Sequence, residues 1–249
     1  VCLVPTAYQI FKYTIFRPLV KYGFKARVEG VENLPRSGGA ILVSNHIAAM
    51  DSLVIPAMVP RPMTYLAKAE LFSGSSLGTK IVAWFLKTIK MVPMDRSGGR
   101  ASADALQAIS DMLDEGRVVA IYPEGTRSPD GRLYKGKTGM ARIALKNKVP
   151  ILPVGVVGTE SVKGLFGIPW VRRPIVAIGA PLEFPEYEGM TNTKVLRYVT
   201  EETMASIQKL TGQVYVDVYA ARVKSGDLSD GGADDFISPR PGTGIRPQL

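Results

Sequence analysis

One cysteine, Cys2, and one histidine, His46, are all the thiol and imidazole that 249 residues contain. An intrachain disulfide is therefore impossible, and no Cys/His zinc site can be assembled. Long apolar runs are also missing. A membrane-spanning helix needs roughly 18–20 consecutive apolar residues, and the best stretch, Val1–Phe24, is broken by Pro5, Lys12, Arg17, Pro18 and Lys21. It does not read as a signal peptide either, because its basic residues follow the apolar ones and no small-residue cleavage site is present. Negative charge is scarce in one region. Residues 1–100 hold 13 basic and 5 acidic side chains, whereas the last 49 hold 5 and 7. The formal net charge of +9 thus belongs to the N-terminal part and points to an anionic partner: nucleic acid, a phosphorylated ligand or a membrane surface. No recognised nucleic-acid motif accompanies it.

What is present suffices for a core: 46% hydrophobic against 21% charged residues excludes wholesale disorder. The opening stretch carries Tyr8, Phe11, Tyr13, Phe16, Tyr22 and Phe24 among Lys12, Arg17, Lys21 and Lys25, an amphipathic pattern suited to lying in a headgroup layer. Short apolar runs at Ala40–Ser44, Thr64–Ala67, Met91–Pro93, Val118–Tyr122, Ile151–Val157 and Ile175–Ile178 then alternate with helical periods at Met50–Met58, Gly78–Lys90, Ala101–Glu115, Met140–Lys146 and Thr193–Leu210. This predicts a single α/β domain over residues 26–223, with a mixed sheet flanked by helices, behind an amphipathic segment over 1–25. From Lys224 onward Gly, Pro, Asp and Ser dominate, which reads as a flexible tail over 224–249.

Two motif matches fail on physics. Gly131-Arg-Leu-Tyr-Lys-Gly136-Lys137-Thr138 has the letters of a nucleotide phosphate loop, yet it does not leave a strand directly, and Ser128-Pro129-Asp130 turns the chain before it. Gly74-Ser75-Ser76-Leu77-Gly78 has the letters of a nucleophile elbow, but that arrangement needs a histidine after the serine, and His46 precedes it.

The segment Ser44–Ser52 is more informative. His46 follows a buried-type strand, where α/β proteins place their sites, and Asp51 lies five residues on. Five residues of α-helix turn through about 500°, which would leave the two side chains some 140° apart. They meet only if His46 lies in the turn before a helix and Asp51 lies inside it. Asp51 could then orient one ring nitrogen and leave the other as a base, and with no side-chain nucleophile beside it such a base suits direct attack by a substrate hydroxyl. Tyr122–Ser128 follows a second strand and displays Glu124 and Arg127, a pair suited to a polar headgroup or phosphate.

Together these segments resemble the glycerolipid acyltransferases, the 1-acyl-sn-glycerol-3-phosphate acyltransferases and their relatives. Four blocks stand in the family's order: Asn45-His46 with Asp51, Val92–Arg96, Tyr122-Pro-Glu-Gly-Thr-Arg-Ser128, and Val149-Pro-Ile-Leu-Pro-Val154. The resemblance covers roughly Val28 to Gly179. Ile47-Ala48-Ala49-Met50 departs from it, being apolar where many relatives carry a polar residue after the histidine. The resemblance implies transfer of an acyl chain from acyl-CoA or acyl carrier protein to a lysophosphatidic acid-type hydroxyl, with no cofactor and no metal. It implies His46 and Asp51 as the catalytic pair, and Asn45, Arg96, Glu124, Gly125, Thr126, Arg127, Lys135, Lys137 and Pro153 around the substrate. It also implies an anionic membrane as partner, with the enzyme peripheral or monotopic on the cytoplasmic face and no nucleic acid bound. Glycerol 3-phosphate, a glycosylated phospholipid, or plain lipid binding without catalysis are the alternatives.

Overall fold

A computed structural model of the chain describes residues 7–68, 92–94, 100–160, 162–163, 169–171, 173–228 and 232–248. The expected helix Gly78–Lys90, with Trp84 and Phe85, and the loop Gly74–Gly78 lie outside the described residues, as do Asp95 and Arg96.

Helix α1 (Ala7–Phe11) continues into two π-wound segments, Lys12–Phe16 and Leu19–Gly23. Strands β1 (Arg27–Glu29) and β2 (Ala40–Ser44), helix α2 (Asp51–Met58), and strands β3 (Met63–Lys68) and β4 (Val92–Met94) follow. Then come α3 (Arg100–Asp114), β5 (Val118–Ile121), β6 (Leu133–Tyr134), α4 (Gly139–Asn147) and β7 (Ile151–Val157). The chain closes with β8 (Val162–Lys163), β9 (Pro169–Trp170), β10 (Ile175–Ile178), α5 (Thr193–Thr211), β11 (Tyr215–Val216), α6 (Ala220–Lys224) and β12 (Ile237–Ser238). Seven strands form one mixed sheet in the order β1-β10-β7-β2-β5-β3-β4, in which only the β10–β7 pairing is antiparallel.

The period-two alternation of strand side chains builds a core on each face. Ala40, Leu42, Val118, Ala120, Leu152, Val154 and Val156 pack under α2 and the N-terminal helix. Ile41, Val43, Val119 and Ile151 pack under α3, α4 and α5. Helix α5 begins at Asn192, whose side chain accepts the Lys194 amide, and stops at Gly212 in the left-handed region (φ 68°).

The N-terminal helix uses one face for its own domain. Lys12, Phe16, Val20 and Phe24 are buried at a strict four-residue spacing, which the wide π windings keep on one stripe. Lys12 donates to the Val59 carbonyl at the end of α2 (2.6 Å). The other face leaves Ile10, Tyr13, Ile15, Leu19 and Tyr22 exposed, Tyr22 by 70%. Among the described residues no helix is long and apolar enough to cross a membrane.

The expectation of a flexible tail needs correction. The described residues from 232 to 248 are tied down: β12 pairs antiparallel with β11, Arg240 bonds Glu202 on α5 (2.6 Å), and Gln208 reaches the Pro239 carbonyl. Tyr187 donates to the Pro247 carbonyl (3.3 Å). A polar strap held by hydrogen bonds and ion pairs has no apolar period, so its composition looks like that of a disordered segment.

Candidate active site

Strands β7, β2 and β5 are parallel neighbours, so their C-terminal ends open at one edge of the sheet. The His46 turn leaves β2, the Tyr122–Ser128 loop leaves β5, and Thr159 follows β7. Residues far apart in sequence meet there for that reason alone.

Asp51 is the first residue of α2 and wholly buried. Its Oδ2 lies 2.8 Å from His46 Nδ1 and accepts the amides of Ile47 (2.7 Å) and Ala48 (2.9 Å). Its Oδ1 accepts the hydroxyl of Thr159, itself buried. A buried carboxylate with four donors is a satisfied anion, and the turn from His46 to Asp51 is wound around it. With Nδ1 facing Asp51, the proton belongs on Nδ1 and the lone pair on Nε2. Nε2 has no protein partner among the described residues. The Ile47 and Ala48 amides, just before the start of α2, are both taken up by Asp51.

The ring is held on its face as well as its edge. Tyr122 stacks on His46 with centroids 3.9 Å apart and planes 12° from parallel, and Tyr65 stacks behind Tyr122 at 5.7 Å. The Tyr122 hydroxyl shares a hydrogen bond with Ser52 on α2 (3.1 Å). Burial first, and then the Asp51 charge, push its phenol far up, so it stays neutral.

The Tyr122–Ser128 loop also grips the His46 backbone. The His46 amide donates to Glu124 Oε2 (3.0 Å), and the Ser128 amide donates to the His46 carbonyl (2.7 Å). The other carboxyl oxygen of Glu124 accepts the Tyr134 amide (2.9 Å). Burial pushes the Glu124 carboxyl up to about 8, against the pull of those two amides. Gly125, with φ 73°, turns the loop in a conformation that other residues adopt only under strain, and Lys137 lies against it.

The residues expected around the substrate divide. Arg127 and Lys137 are exposed, and Thr126 is half-buried and accepts from Lys224. Asn45 and Glu124 brace the backbone. The Asn45 amide accepts from and donates to the Val156 backbone (2.8 and 2.9 Å) and donates to Gln213 (2.9 Å), pinning β2 to β7. Lys135 is paired with Asp217 at 2.9 Å. Pro153 faces away from α2: it lies two residues before Gly155, where an added Cβ would meet Leu210 and Thr211 of α5. Arg96 lies outside the described residues. Sequence reasoning assigns no role of their own to Thr159 and Tyr122. Tyr122 opens the third block, a usable signal, whereas Thr159 follows the fourth block with none. Among the described residues no group of three or more His, Cys, Asp or Glu side chains is placed to hold a metal.

Residues 25–157, which hold His46, Asp51 and the Pro-Glu-Gly-Thr-Arg loop, match the model of the acyltransferase family. The chain belongs to that family. It is 30% identical over 189 residues to the 1-acyl-sn-glycerol-3-phosphate acyltransferase of Bacillus subtilis, covering 76% of this chain and 89% of that one. It is 32% identical over 140 residues to the chloroplastic enzyme LPAT1 of Arabidopsis thaliana, which spans 56% of this chain and 38% of the relative. The chain also covers only 54% of the Borreliella burgdorferi relative, so it spans between two fifths and about half of several proteins it matches. The crystal structure of the 1-acyl-sn-glycerophosphate acyltransferase PlsC from Thermotoga maritima shares the fold, with a TM-score of 0.57, 25% identity, and 83% of this chain and 84% of that one covered.

Proposed function

We propose that the protein transfers a fatty acyl group from acyl-CoA or acyl carrier protein to the free hydroxyl of 1-acyl-sn-glycerol 3-phosphate. The observation that carries this is His46, whose Nδ1 is fixed by buried Asp51 while the ring remains 16% exposed. In this reading Nε2 takes the proton of the acceptor hydroxyl as that oxygen attacks the thioester carbonyl. The tetrahedral centre collapses, the carbon–sulfur bond breaks, and the imidazolium returns its proton to the departing thiolate. Asp51 keeps the tautomer and stabilises the imidazolium. Arg127, Thr126 and Lys137 face the acceptor phosphate, with Arg96 assigned to the same task by family resemblance. The names of the relatives support the acceptor class.

The exposed apolar residues of the N-terminal helix, with Arg17 and Lys21 beside them and Lys25 just past its end, would seat the enzyme peripherally on an anionic membrane that supplies the lipid. One assay tests the reaction: purified protein with labelled palmitoyl-CoA or palmitoyl-carrier protein and a panel of acceptors. Labelled phosphatidic acid is the expected product. Acylation of glycerol 3-phosphate or a glycolipid in preference to lysophosphatidic acid would replace the acceptor, and no acyl transfer at all would overturn the reading.

A further inference from the structure

Two lysine side chains close on consecutive residues of the Tyr122–Ser128 loop. A Cβ placed on Gly125 would lie 3.1 Å from Lys137 Nζ, and Lys224 Nζ donates to Thr126 Oγ1 at 3.1 Å. Arg127 comes next in the chain. Lys224 arrives from outside the span of the family match, and its position is built rather than incidental. Strand β11 pairs in parallel with β6, the Lys135 amide donates to the Val218 carbonyl (3.1 Å), and Lys135 pairs with Asp217. The short helix α6 then ends on Lys224, over the loop.

Charge around these residues is unbalanced. Neighbouring carboxylates are spent elsewhere: Asp217 on Lys135 and Tyr215, Asp130 and Asp234 on Arg132. Glu124 is buried, with both oxygens taken by amides. Among the described residues Arg127, Lys137 and Lys224 have no carboxylate within ion-pairing distance; burial first and then the Arg127 charge weaken the hold of Lys224 on its proton, and the Glu124 carboxyl only partly opposes them. Like charges gathered without a counter-ion repel one another, and an anion between them relieves that repulsion. The Ser128 amide ties this same loop to the His46 carbonyl, so the anion would sit one loop away from the reacting nitrogen.

We propose that Lys224 is a specificity-determining ligand for a phosphomonoester on the acceptor, completing with Arg127 and Lys137 a three-cation site. This rests on the acyl-transfer reading above. A phosphomonoester carries about −1.5 to −2 charges near neutral pH, whereas a phosphodiester headgroup carries one, so a third cation favours the monoester.

The test uses the full chain and its Lys224→Ala and Lys224→Arg variants with lysophosphatidic acid, lysophosphatidylglycerol and monoacylglycerol as acceptors. Lys224→Ala is expected to raise the KM for lysophosphatidic acid by about tenfold to a hundredfold, the scale of a charged hydrogen bond. The diester should suffer less and the neutral acceptor not at all, with the KM for palmitoyl-CoA unchanged and Lys224→Arg recovering most of the loss. An unchanged KM for lysophosphatidic acid, or an equal loss with all three acceptors, overturns the proposal. Co-sedimentation with anionic vesicles separates acceptor from bilayer: a loss there matching the loss in KM would assign Lys224 to membrane headgroups and also overturn it. A wild-type chain that acylates none of the acceptors sinks the acyl-transfer reading. In that case calorimetry with glycerol 3-phosphate still decides the site, which stands only if Lys224→Ala weakens that binding.

Discussion

The His46 turn and the Thr126 loop touch each other and are wired in opposite ways. Around Asp51 every carboxyl oxygen has a donor and every donor belongs to the protein. Around Thr126 the cations outnumber any available carboxylate. The first arrangement is complete without substrate, so little reorganisation would remain at the proposed proton transfer. The second would be complete only with the proposed anion present. A site of this kind assigns geometry to one wall and recognition to the other, and the two should fail differently when damaged.

The largest effect should come from the finished wall. His46→Ala is expected to lower kcat by about two to four orders of magnitude with the melting curve unchanged; near-normal turnover would remove His46 from the chemistry. Thr159→Val should act through Asp51. Stripping a donor from Oδ1 leaves more negative charge facing the imidazole and raises its affinity for a proton, so the acidic limb of the kcat/KM profile should move to higher pH. The fall in rate should be closer to tenfold, and a fall with no movement of that limb would mark Thr159 as mere packing. On the unfinished wall, Arg127→Ala should raise the acceptor KM by about tenfold to a few hundredfold while leaving the thioester KM alone. If both rose together, the division between the walls would not hold.

Smaller effects concern the seams. Folded Glu124 keeps its proton to about 8, whereas the unfolded chain releases it near 4.5. Between those values the folded state binds more protons, so this residue makes stability decline as pH rises through that window. Urea melts across it should show that slope in the wild type and a flatter one in Glu124→Gln. The smallest change is expected from Tyr22→Glu on the outer face of the N-terminal helix, which should weaken co-sedimentation with anionic vesicles without altering turnover of a detergent-dispersed acceptor. Equal vesicle binding by the variant would remove that face from membrane contact.

The sequence exposed the first wall more readily than the second. Helical geometry alone requires His46 to precede a helix and Asp51 to lie within it, and α2 indeed begins at Asp51. Strand ends were equally legible, because Ala40–Ser44 and Ile151–Val157 are apolar on both faces, as strands buried between two helical layers must be. The two-residue strands β6 and β11 are too short to display a period, so the platform that carries Lys224 left no trace. Asn45 and Glu124 brace the backbone, which the motifs alone do not reveal. A motif marks residues that a site needs without distinguishing those that touch substrate from those that brace the backbone. Only the amides of Val156, His46 and Tyr134 make that distinction.

The bond from Asn45 to Gln213 spans 168 positions, and Gln213 in turn donates to the Gly131 carbonyl. On a ribosome, His46 leaves the exit tunnel long before Gln213 exists. The turn bearing His46 is therefore made long before the residue that pins it, and contacts so distant in sequence are slow to form.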